Sequence, residues 1–315
     1  MAGVSTATVS RVINQQGGYS IETQLKVKKV IKESSYQPNW NAARLRTQTS
    51  RNIGVIVPDI TNEFFAKIIQ SLELFFMEHK YTVLICDSQE NIEIENQHIQ
   101  NLKEQQVEGI IYISGQNQSP IQEDIFSIPI VYIDRYPKNV HVYVHSNNVQ
   151  GGYLATKELL EKGCKNVLFF RDIKNPSAIQ QRRKGYLIAL KDNTFDKSLE
   201  IASISTYQES FKTIEKLIDT KGCYFDGIFA TNDKMALGCL NALLSKQIKV
   251  PEQIKIVGFD NISLSQVCHP AITTISQDTN QMAIKAGSAL IDSMNDKKKK
   301  QSIIIPVSFC IREST

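Results

Sequence analysis

Several polar side chains lie at or just after the ends of short apolar runs in this 315-residue chain. Asp134 and Arg135 end one run, Asp260 ends another, and Gln277 follows a third. Because the carboxyl ends of parallel strands meet at one edge of an open α/β sheet, we expect these groups to converge on a small ligand. The pattern therefore indicates a small-molecule binding site formed by strand-end residues.

Basic charge is concentrated at the start of the chain. Residues 1–50 hold seven Lys and Arg residues against two acidic residues, a net charge of +5 within a whole-chain charge of +4. This asymmetry is typical of a small module that binds a polyanion such as a nucleic acid, attached to a nearly neutral body. A solvated basic face is the alternative that charge alone leaves open.

From residue 51 onward, short β-branched runs alternate with amphipathic segments. Eight runs fall into two groups of four that divide near residues 147–151. Such alternation is typical of parallel sheets covered on both faces, so we predict an α/β fold class with two tandem doubly wound parallel-sheet lobes after a small all-α head. The expected domains are a head over 1–36, a hinge over 37–50, an N-terminal lobe over 51–150 plus 278–297, and a C-terminal lobe over 151–277 plus 298–315. A single final strand is expected over 303–311.

The first fifty residues show no strand pattern and instead predict short helices. Ser5 is placed to cap the first helix, and a second helix fits residues 21–33. The apolar residues expected to face inward are Val9, Val12 and Ile13 in the first helix and Leu25, Val27, Val30 and Ile31 in the second.

Short motifs follow one another in a fixed order along the whole chain. They are Gly3-Val4-Ser5 with Thr8-Val9-Ser10-Arg11-Val12-Ile13-Asn14, Tyr36-Gln37-Pro38-Asn39 with 42–45, Ile53-Gly54-Val55, Asn232-Asp233 with 235–238, Gly258-Phe259-Asp260-Asn261, and Thr273-Thr274-Ile275. In this order they resemble the recognition helix, hinge, lobe strands and return crossover of the LacI/GalR family of bacterial transcription regulators. The resemblance implies a helix-turn-helix head on a body like the type I periplasmic binding proteins.

One departure from the family pattern concerns the start of the head. Family members carry a helix of the type "IKDVAKLA" before the Gly-Val-Ser turn, where this sequence has Met1-Ala2. We therefore expect the first helix of the motif to be missing, through a start placed at an internal methionine or a truncated chain rather than a working short form. The missing helix would brace the recognition helix, so a head without it is expected to lose rigidity.

The resemblance also implies how DNA would be read. Residues of the recognition helix would meet base edges or phosphates in the major groove. Leu45 would wedge into the minor groove and kink the duplex, although it could instead be a loosely packed linker residue. The implied DNA-binding residues are Ser5, Thr6, Ala7, Thr8, Ser10, Arg11 and Asn14 in the head and Asn39, Arg44, Leu45 and Arg46 in the hinge. Each head would read a half-site, so a homodimer on a pseudo-palindromic operator is expected.

The implied effector site is similar to that of ribose-binding proteins. A monosaccharide would pair its hydroxyl groups with the polar residues and pack its C–H face on aromatic rings. The implied effector-binding residues are Asn62, Phe64, Phe65, Asp134, Arg135, Arg182, Asn232, Asp260 and Gln277, with Tyr207 on a looser match. For single residues other roles stay open: Asp260 as a turn residue, Phe65 in the core, and Arg182 in a surface ion pair.

Other classes of protein are disfavoured by the sequence. No apolar stretch approaches the roughly 20 residues that span a bilayer, and no secretory signal is visible, so we expect a cytoplasmic protein without a membrane partner. Nucleotide-binding and metalloprotease motifs are absent, and the cysteines form no CxxC pair, so no cofactor, metal site or enzymatic activity is expected. His141 and His145 are expected at the surface. The alternatives are a regulator with a phosphorylated carrier protein as partner and, in a different class, a solute-binding protein for sugar uptake.

Overall fold

The computed structural model describes residues 3–13, 17–34, 49–113, 121, 127–140, 142–195, 197–295 and 301–315. Contacts within the chain separate two units, residues 1–49 and residues 50–315. The smaller unit is helical and the larger one is built from strands and helices.

Two capped helices form the described part of the small unit. Helix α1 spans Thr6–Ile13 and helix α2 spans Ile21–Glu33. The Ser5 hydroxyl accepts a hydrogen bond from the Thr8 amide at 3.2 Å. The Ser20 hydroxyl does the same for the Thr23 amide at 3.2 Å. Both serines satisfy an amide that the first helical turn would otherwise leave without a partner, which is why the helices begin there.

The core of the small unit is minimal. Val12 and Val27 are its buried apolar side chains, packed against partly buried neighbours such as Val9. The prediction that Leu25 faces inward is wrong, because its side chain is 64% exposed, as is Ile21 one turn earlier at 78%. Helix α1 has eight residues and covers the Val27 side of α2. Within the described part of this unit, the face that carries Ile21 and Leu25 is therefore bare.

The large unit contains two six-stranded sheets, which confirms the predicted pair of α/β lobes. The first sheet has the order β11-β5-β4-β3-β1-β2, with all neighbouring strands parallel. Its strands are β1 (Asn52–Val57), β2 (Thr82–Asp87), β3 (Gly109–Tyr112), β4 (Ile130–Ile133), β5 (Val142–Ser146) and β11 (Gln301–Ile305). Its helices are α3 (Glu63–Glu78), α4 (Ile92–Glu104) and α10 (Thr279–Asn295).

The second sheet has the order β12-β10-β9-β8-β6-β7, with β12 antiparallel to β10 and the other pairs parallel. Its strands are β6 (Val167–Asp172), β7 (Leu199–Ser203), β8 (Gly227–Ala230), β9 (Lys255–Asp260), β10 (Thr273–Gln277) and β12 (Val307–Cys310). Its helices are α5 (Asn148–Glu161), α6 (Ser177–Asp192), α7 (Tyr207–Lys221), α8 (Asp233–Ser245) and the short α9 (Leu264–Val267).

The chain crosses between the lobes three times, and one crossing differs from the prediction. The single strand expected over 303–311 is wrong: Gln301–Ile305 pairs with Val142–Ser146 in the first sheet, and Val307–Cys310 pairs in the second. Pro306 separates them, since proline has no amide hydrogen to continue a ladder. Residues 301–305 therefore belong to the N-terminal lobe, not to the C-terminal lobe as predicted.

Strand β5 also corrects the expectation for His145. Its neighbours β4 and β11 place β5 inside the sheet, so His145 is 6% exposed rather than at the surface. Its Nδ1 lies 2.7 Å from the Ser146 carbonyl oxygen, and burial lowers the pKa of the ring. His141 lies outside the described residues. Among the described helices, none has the length and apolar character needed to cross a bilayer.

Candidate functional site

A cleft between the two lobes collects the polar residues that end the strands. About 320 Å³ of its space is free of protein atoms, including the part open to solvent. The lining residues of the N-terminal lobe are Asn62, Phe64, Phe65, Asp134 and Arg135. Those of the C-terminal lobe are Asp172, Ala178, Ile179, Arg182, Asn232 and Asp260.

Arg182 is the central charge of the cleft and is 4% exposed. Its Nη2 lies 3.9 Å from Asp134 Oδ1 in one lobe and 3.8 Å from Asp260 Oδ1 in the other. Its Nε donates to Asn148 Oδ1 at 2.8 Å, and its Nη1 donates to the Thr231 carbonyl at 2.5 Å. Burial lowers the pKa of Arg182, and the two carboxyl groups oppose that shift. The surface ion pair considered for this residue is thereby excluded, because the guanidinium is enclosed and held by both lobes.

Two glycines bring helix α6 close enough for Arg182 to reach these partners. A Cβ atom at Gly152 would overlap the Arg182 carbonyl group, and one at Gly185 would overlap the Val149 carbonyl oxygen. Helices α5 and α6 therefore touch through their backbones at this crossing. Only glycine permits that approach, so the two glycines position the arginine indirectly.

The two carboxylates beside Arg182 sit on strained backbone. Asp134 has a φ angle of 59° and Asp260 one of 106°, both in the region that side chains rarely adopt. Backbone in this region costs energy and is often found at ligand sites. Asp260 Oδ1 accepts a hydrogen bond from Gln277 Nε2 at 2.6 Å. Burial raises the pKa of Asp260 to about 8, while the charge of Arg182 works in the opposite direction.

A buried aspartate holds the turn that carries Asp260. Asp233, at the start of helix α8, accepts the Ile262 amide at 2.9 Å through Oδ2 and the Thr274 hydroxyl at 2.6 Å through Oδ1. These bonds tie the helix to the turn that follows Asp260 and to the start of strand β10. Burial raises the pKa of Asp233 to about 6. Asp233 supports the site without lining the cleft in this structure.

The N-terminal lobe contributes the aromatic part of the cleft. The rings of Phe64 and Phe65 meet edge to face, with centroids 5.2 Å apart. The Arg135 guanidinium lies over the Phe65 ring, 5.3 Å from its centroid, and its Nη1 donates to Glu90 Oε1 at 2.8 Å. Glu90 also pairs with Lys174 of the other lobe at 2.9 Å. Both phenylalanines are 2% exposed, so they belong to the core of the lobe as well as to the cleft wall.

Two asparagines of the cleft also cap helices. Asn62 accepts the Phe64 amide at 3.1 Å at the start of α3. Asn232 accepts the Met235 amide at 2.8 Å at the start of α8, and its Nδ2 donates to the Ser205 hydroxyl at 2.7 Å. Capping fixes where these side chains lie. Each asparagine therefore has a structural role beside any ligand contact.

Further polar contacts join the two lobes at the cleft. Lys234 lies 3.1 Å from Asp59. The Ser263 amide donates to the Glu63 carboxylate at 2.9 Å, and the Ser263 hydroxyl donates to the same group. Partly exposed contacts of this kind are individually weak.

The structure brings most of the predicted effector residues together. Eight of the ten line the cleft, and Gln277 contacts it through Asp260. Tyr207 does not join them: it starts helix α7, is 37% exposed, and its hydroxyl accepts a hydrogen bond from Asn241 at 2.9 Å. The prediction of Tyr207 as an effector-binding residue is therefore not supported, because Tyr207 begins a helix and its side chain points away from the cleft.

Three lining residues were missed by the sequence pattern. Ala178 and Ile179 are apolar residues of the first turn of α6, and nothing in their type marks a site. Asp172 carried a usable signal, because it ends strand β6 as Asp260 ends β9 and as Asp134 directly follows β4.

The predicted DNA-binding residues of the head divide into two groups. Ser5, Thr6, Ala7 and Arg11 are exposed on or beside α1, while Thr8 and Ser10 are half-buried. An exposed helix face with hydroxyl, methyl and guanidinium groups matches what base edges and phosphates require. Asn14, Asn39, Arg44, Leu45 and Arg46 lie outside the described residues.

Comparison with known proteins identifies both parts of the chain. Residues 1–39 match the model for bacterial regulatory proteins of the lacI family. Residues 156–315 match the model for a periplasmic binding protein-like domain. The ribose operon repressor of Halalkalibacterium halodurans is 33% identical over 316 residues, covering 100% of this chain and 94% of that protein. The chain belongs to the LacI family. This confirms the resemblance of its motifs to that family.

Solved structures share the fold of this chain. A crystal structure of the lac repressor dimer bound to operator and the anti-inducer ONPF superposes with a TM-score of 0.89 at 23% identity, covering 100% of this chain and 96% of that one. A LacI family transcriptional regulator from Enterococcus faecium with bound ribose gives a TM-score of 0.74 at 25% identity, covering 84% and 98%. The LacI family is one of transcription regulators rather than enzymes.

Proposed function

We propose that this protein is a sequence-specific transcription regulator, acting in the cytoplasm as a repressor, whose operator binding is controlled by a small sugar in the cleft between its lobes. The observation that carries the proposal is the position of Arg182, enclosed between Asp134 of one lobe and Asp260 of the other. A hydroxyl-bearing ligand placed there contacts both lobes at once. It is therefore able to stabilise one lobe arrangement over another.

The chemistry of the cleft supports a sugar. The side chains that line it supply carboxylate and amide oxygens and guanidinium donors, which satisfy hydroxyl groups in pairs. The ring of Phe65 offers an apolar face for the C–H side of a sugar. The ribose-bound relative from Enterococcus faecium and the ribose operon repressor from Halalkalibacterium halodurans make a pentose the first effector to test.

Control of DNA binding follows from linkage. A ligand shifts an equilibrium between two lobe arrangements by its difference in affinity for them. If operator DNA also favours one arrangement, sugar and DNA affect each other's affinity by the same factor. In a homodimer, two heads read the two halves of a pseudo-palindromic operator, and the exposed residues of α1, Thr6, Ala7 and Arg11 among them, would face the bases.

The proposal is tested by selecting duplexes from a random DNA pool with the full chain and measuring affinity for the selected sequence by fluorescence anisotropy. We expect a selected site with two related halves and a change in affinity when D-ribose or another neutral sugar is added. Arg11→Ala should weaken binding about tenfold or more, the loss of roughly 1.4 kcal/mol expected for one specific contact. Lys29→Ala, whose side chain pairs with Glu33 in α2, is the matched control and should change it less.

Two results would contradict the proposal. Failure to select any DNA sequence would contradict the proposal that this protein binds DNA sequence-specifically. Selected DNA whose affinity responds to a phosphorylated carrier protein and to no sugar would support the alternative kind of regulator.

A further inference from the structure

Asp172 is a carboxylate of the cleft wall that the sequence pattern did not single out. It ends strand β6 and is 2% exposed. Its Oδ1 accepts the Lys174 amide at 2.9 Å, whereas its Oδ2 is buried without a hydrogen-bond partner in the described part of the chain. A buried acceptor without a donor is costly unless something else supplies one. A ligand in the cleft is the natural source, because Asp172 lines it.

Two other buried atoms at the cleft have the same character. Asp134 Oδ1 and Gln277 Oε1 also have no hydrogen-bond partner among the described residues. Asp134 lines the cleft, and Gln277 is bonded to the lining residue Asp260. All three atoms are acceptors. A complementary ligand therefore presents hydrogen-bond donors.

Each cation at the cleft already lies beside acidic side chains. Arg182 faces Asp134 and Asp260 at 3.9 and 3.8 Å. Arg135 pairs with Glu90 at 2.8 Å. Lys174 pairs with the same Glu90 at 2.9 Å. An anionic ligand would have to compete with these pairs, and a phosphate next to Asp172 would meet a second negative group in a low-dielectric environment.

We propose that Asp172 is a specificity-determining residue that selects an uncharged, hydroxyl-rich effector over the phosphorylated form of the same sugar. The inference rests on the proposed function, since it takes the cleft as the effector site. A hydroxyl group donates to the free oxygen of Asp172 and completes its hydrogen bonding. A phosphate group supplies acceptor oxygens and negative charge, which that oxygen repels.

The experiment is isothermal titration calorimetry of the full chain with D-ribose, D-xylulose, D-fructose and D-glucose, and with the 5- or 6-phosphate of each. We expect at least one neutral sugar to bind ten times or more tighter than its phosphate. Selectivity is the dissociation constant of the phosphate divided by that of the neutral sugar. Asp172→Asn removes the charge and places an N–H donor at this position, so this ratio should fall at least tenfold. The ratio is read within one variant, so a general loss of affinity does not affect it.

Glu200→Gln is the matched control, because it makes the same change of charge in the same lobe on a carboxylate that pairs with Arg183. It should leave the ratio unchanged. Asp172→Ser, smaller and uncharged, serves as the second variant should Asp172→Asn not fold, as judged by thermal unfolding. The same fall in the ratio is expected from it.

The outcomes separate the inference from the proposed function. A phosphate that binds the wild-type chain as tightly as its parent sugar would overturn the inference and leave the sugar effector in place. A ratio that Asp172→Asn and Asp172→Ser do not change would show that another residue sets the preference. Absence of heat from every sugar and every phosphate would overturn the sugar effector itself, and the inference with it.

Discussion

The two walls of the cleft follow the same strand-and-helix plan but carry different chemistry. The N-terminal wall holds two phenylalanine rings beside the Asp134-Arg135 pair. The C-terminal wall is mainly polar and charged, with Arg182 and Asp260 at its centre. The comparison shows how one repeated architecture makes an asymmetric site: one wall supplies a surface for packing, and the other supplies most of the hydrogen-bonding groups.

Each lobe also places an arginine over an aromatic ring, but the distance from the guanidinium group to the ring differs. The Arg182 guanidinium lies 3.6 Å from the centroid of Phe259, whereas that of Arg135 lies 5.3 Å from that of Phe65. The nearer arginine covers its ring, so Phe259 stabilises the cation rather than facing a ligand. Phe65 lines the cleft, and Phe259 does not appear in its wall. The aromatic surface available to a ligand therefore belongs to the N-terminal lobe.

The largest expected effect comes from removing the central cation of the polar wall. Arg182→Met leaves Asp134 and Asp260 without their shared partner, so we expect sugar binding to be lost. The free energy of unfolding should fall by about 3 kcal/mol. This is the lower end of the cost of breaking a buried ion pair, because Asp260 can bind a proton. Urea denaturation and calorimetry measure both. Arg183→Met, at the next position but paired with Glu200 and 42% exposed, is the control and should cost under about 1 kcal/mol without affecting binding. Equal losses of sugar affinity and stability in both variants would contradict the central role of Arg182.

A second prediction concerns the pH dependence that the polar wall creates. The pKa of Asp260 is raised to about 8 by burial, so the folded chain keeps a proton that the unfolded chain releases above about pH 4. The contribution of this group to stability is therefore fully present below pH 4 and is lost as the pH rises to about 8, with a slope of at most about 1.4 kcal/mol per pH unit. Urea denaturation of Asp260→Asn at pH 5 and pH 8 should show a smaller fall than the wild type. Glu200→Gln should keep the wild-type fall, and an unchanged fall in Asp260→Asn would contradict the prediction.

The smallest effect is expected on the apolar wall. Phe65→Leu keeps a buried apolar side chain but removes the ring beneath Arg135 and the flat face for a sugar, so we expect affinity to fall roughly tenfold at a stability cost of about 1 kcal/mol. Calorimetry with the best-binding neutral sugar gives the affinity. Phe76→Leu, buried in the same helix but packed against Phe75 and Tyr81, should cost similar stability and leave affinity unchanged. If both variants lose affinity equally, the Phe65 ring has no special part in binding.

Much of the site was predictable because it lies where parallel strands end. Asp134, Asp260 and Asn232 could be named from the sequence, since the carboxyl ends of strands converge in this fold whatever the loops do. Arg182 came from its resemblance to a family motif and lies at the centre. Asp172 also lies at a strand end, but the sequence of strand β6 is typical of any buried strand. The position of a residue at a strand end does not show whether its side chain finds a hydrogen-bond donor within the protein.

The wrong predictions outside the cleft concern contacts that the local sequence pattern does not show. Residues 301–305 join β5, so His145 is buried and the final strand is split at Pro306. Leu25 has the helical spacing of a core residue but remains exposed, because spacing shows which face is apolar and not whether a neighbour covers it. Tyr207 lies at a helix start whose direction turns it away from the cleft.

The sequence by itself determined the alternation of strands and helices, the two lobes, the basic head and the family, because periodicity, charge and motif order are local properties of the chain. The tertiary structure alone decided which oxygen atoms of the cleft remain unpaired, which arginine is enclosed between two carboxylates, and to which sheet each end of the last strand belongs. Those properties depend on atoms that are distant in sequence and meet only after the lobes have folded and closed.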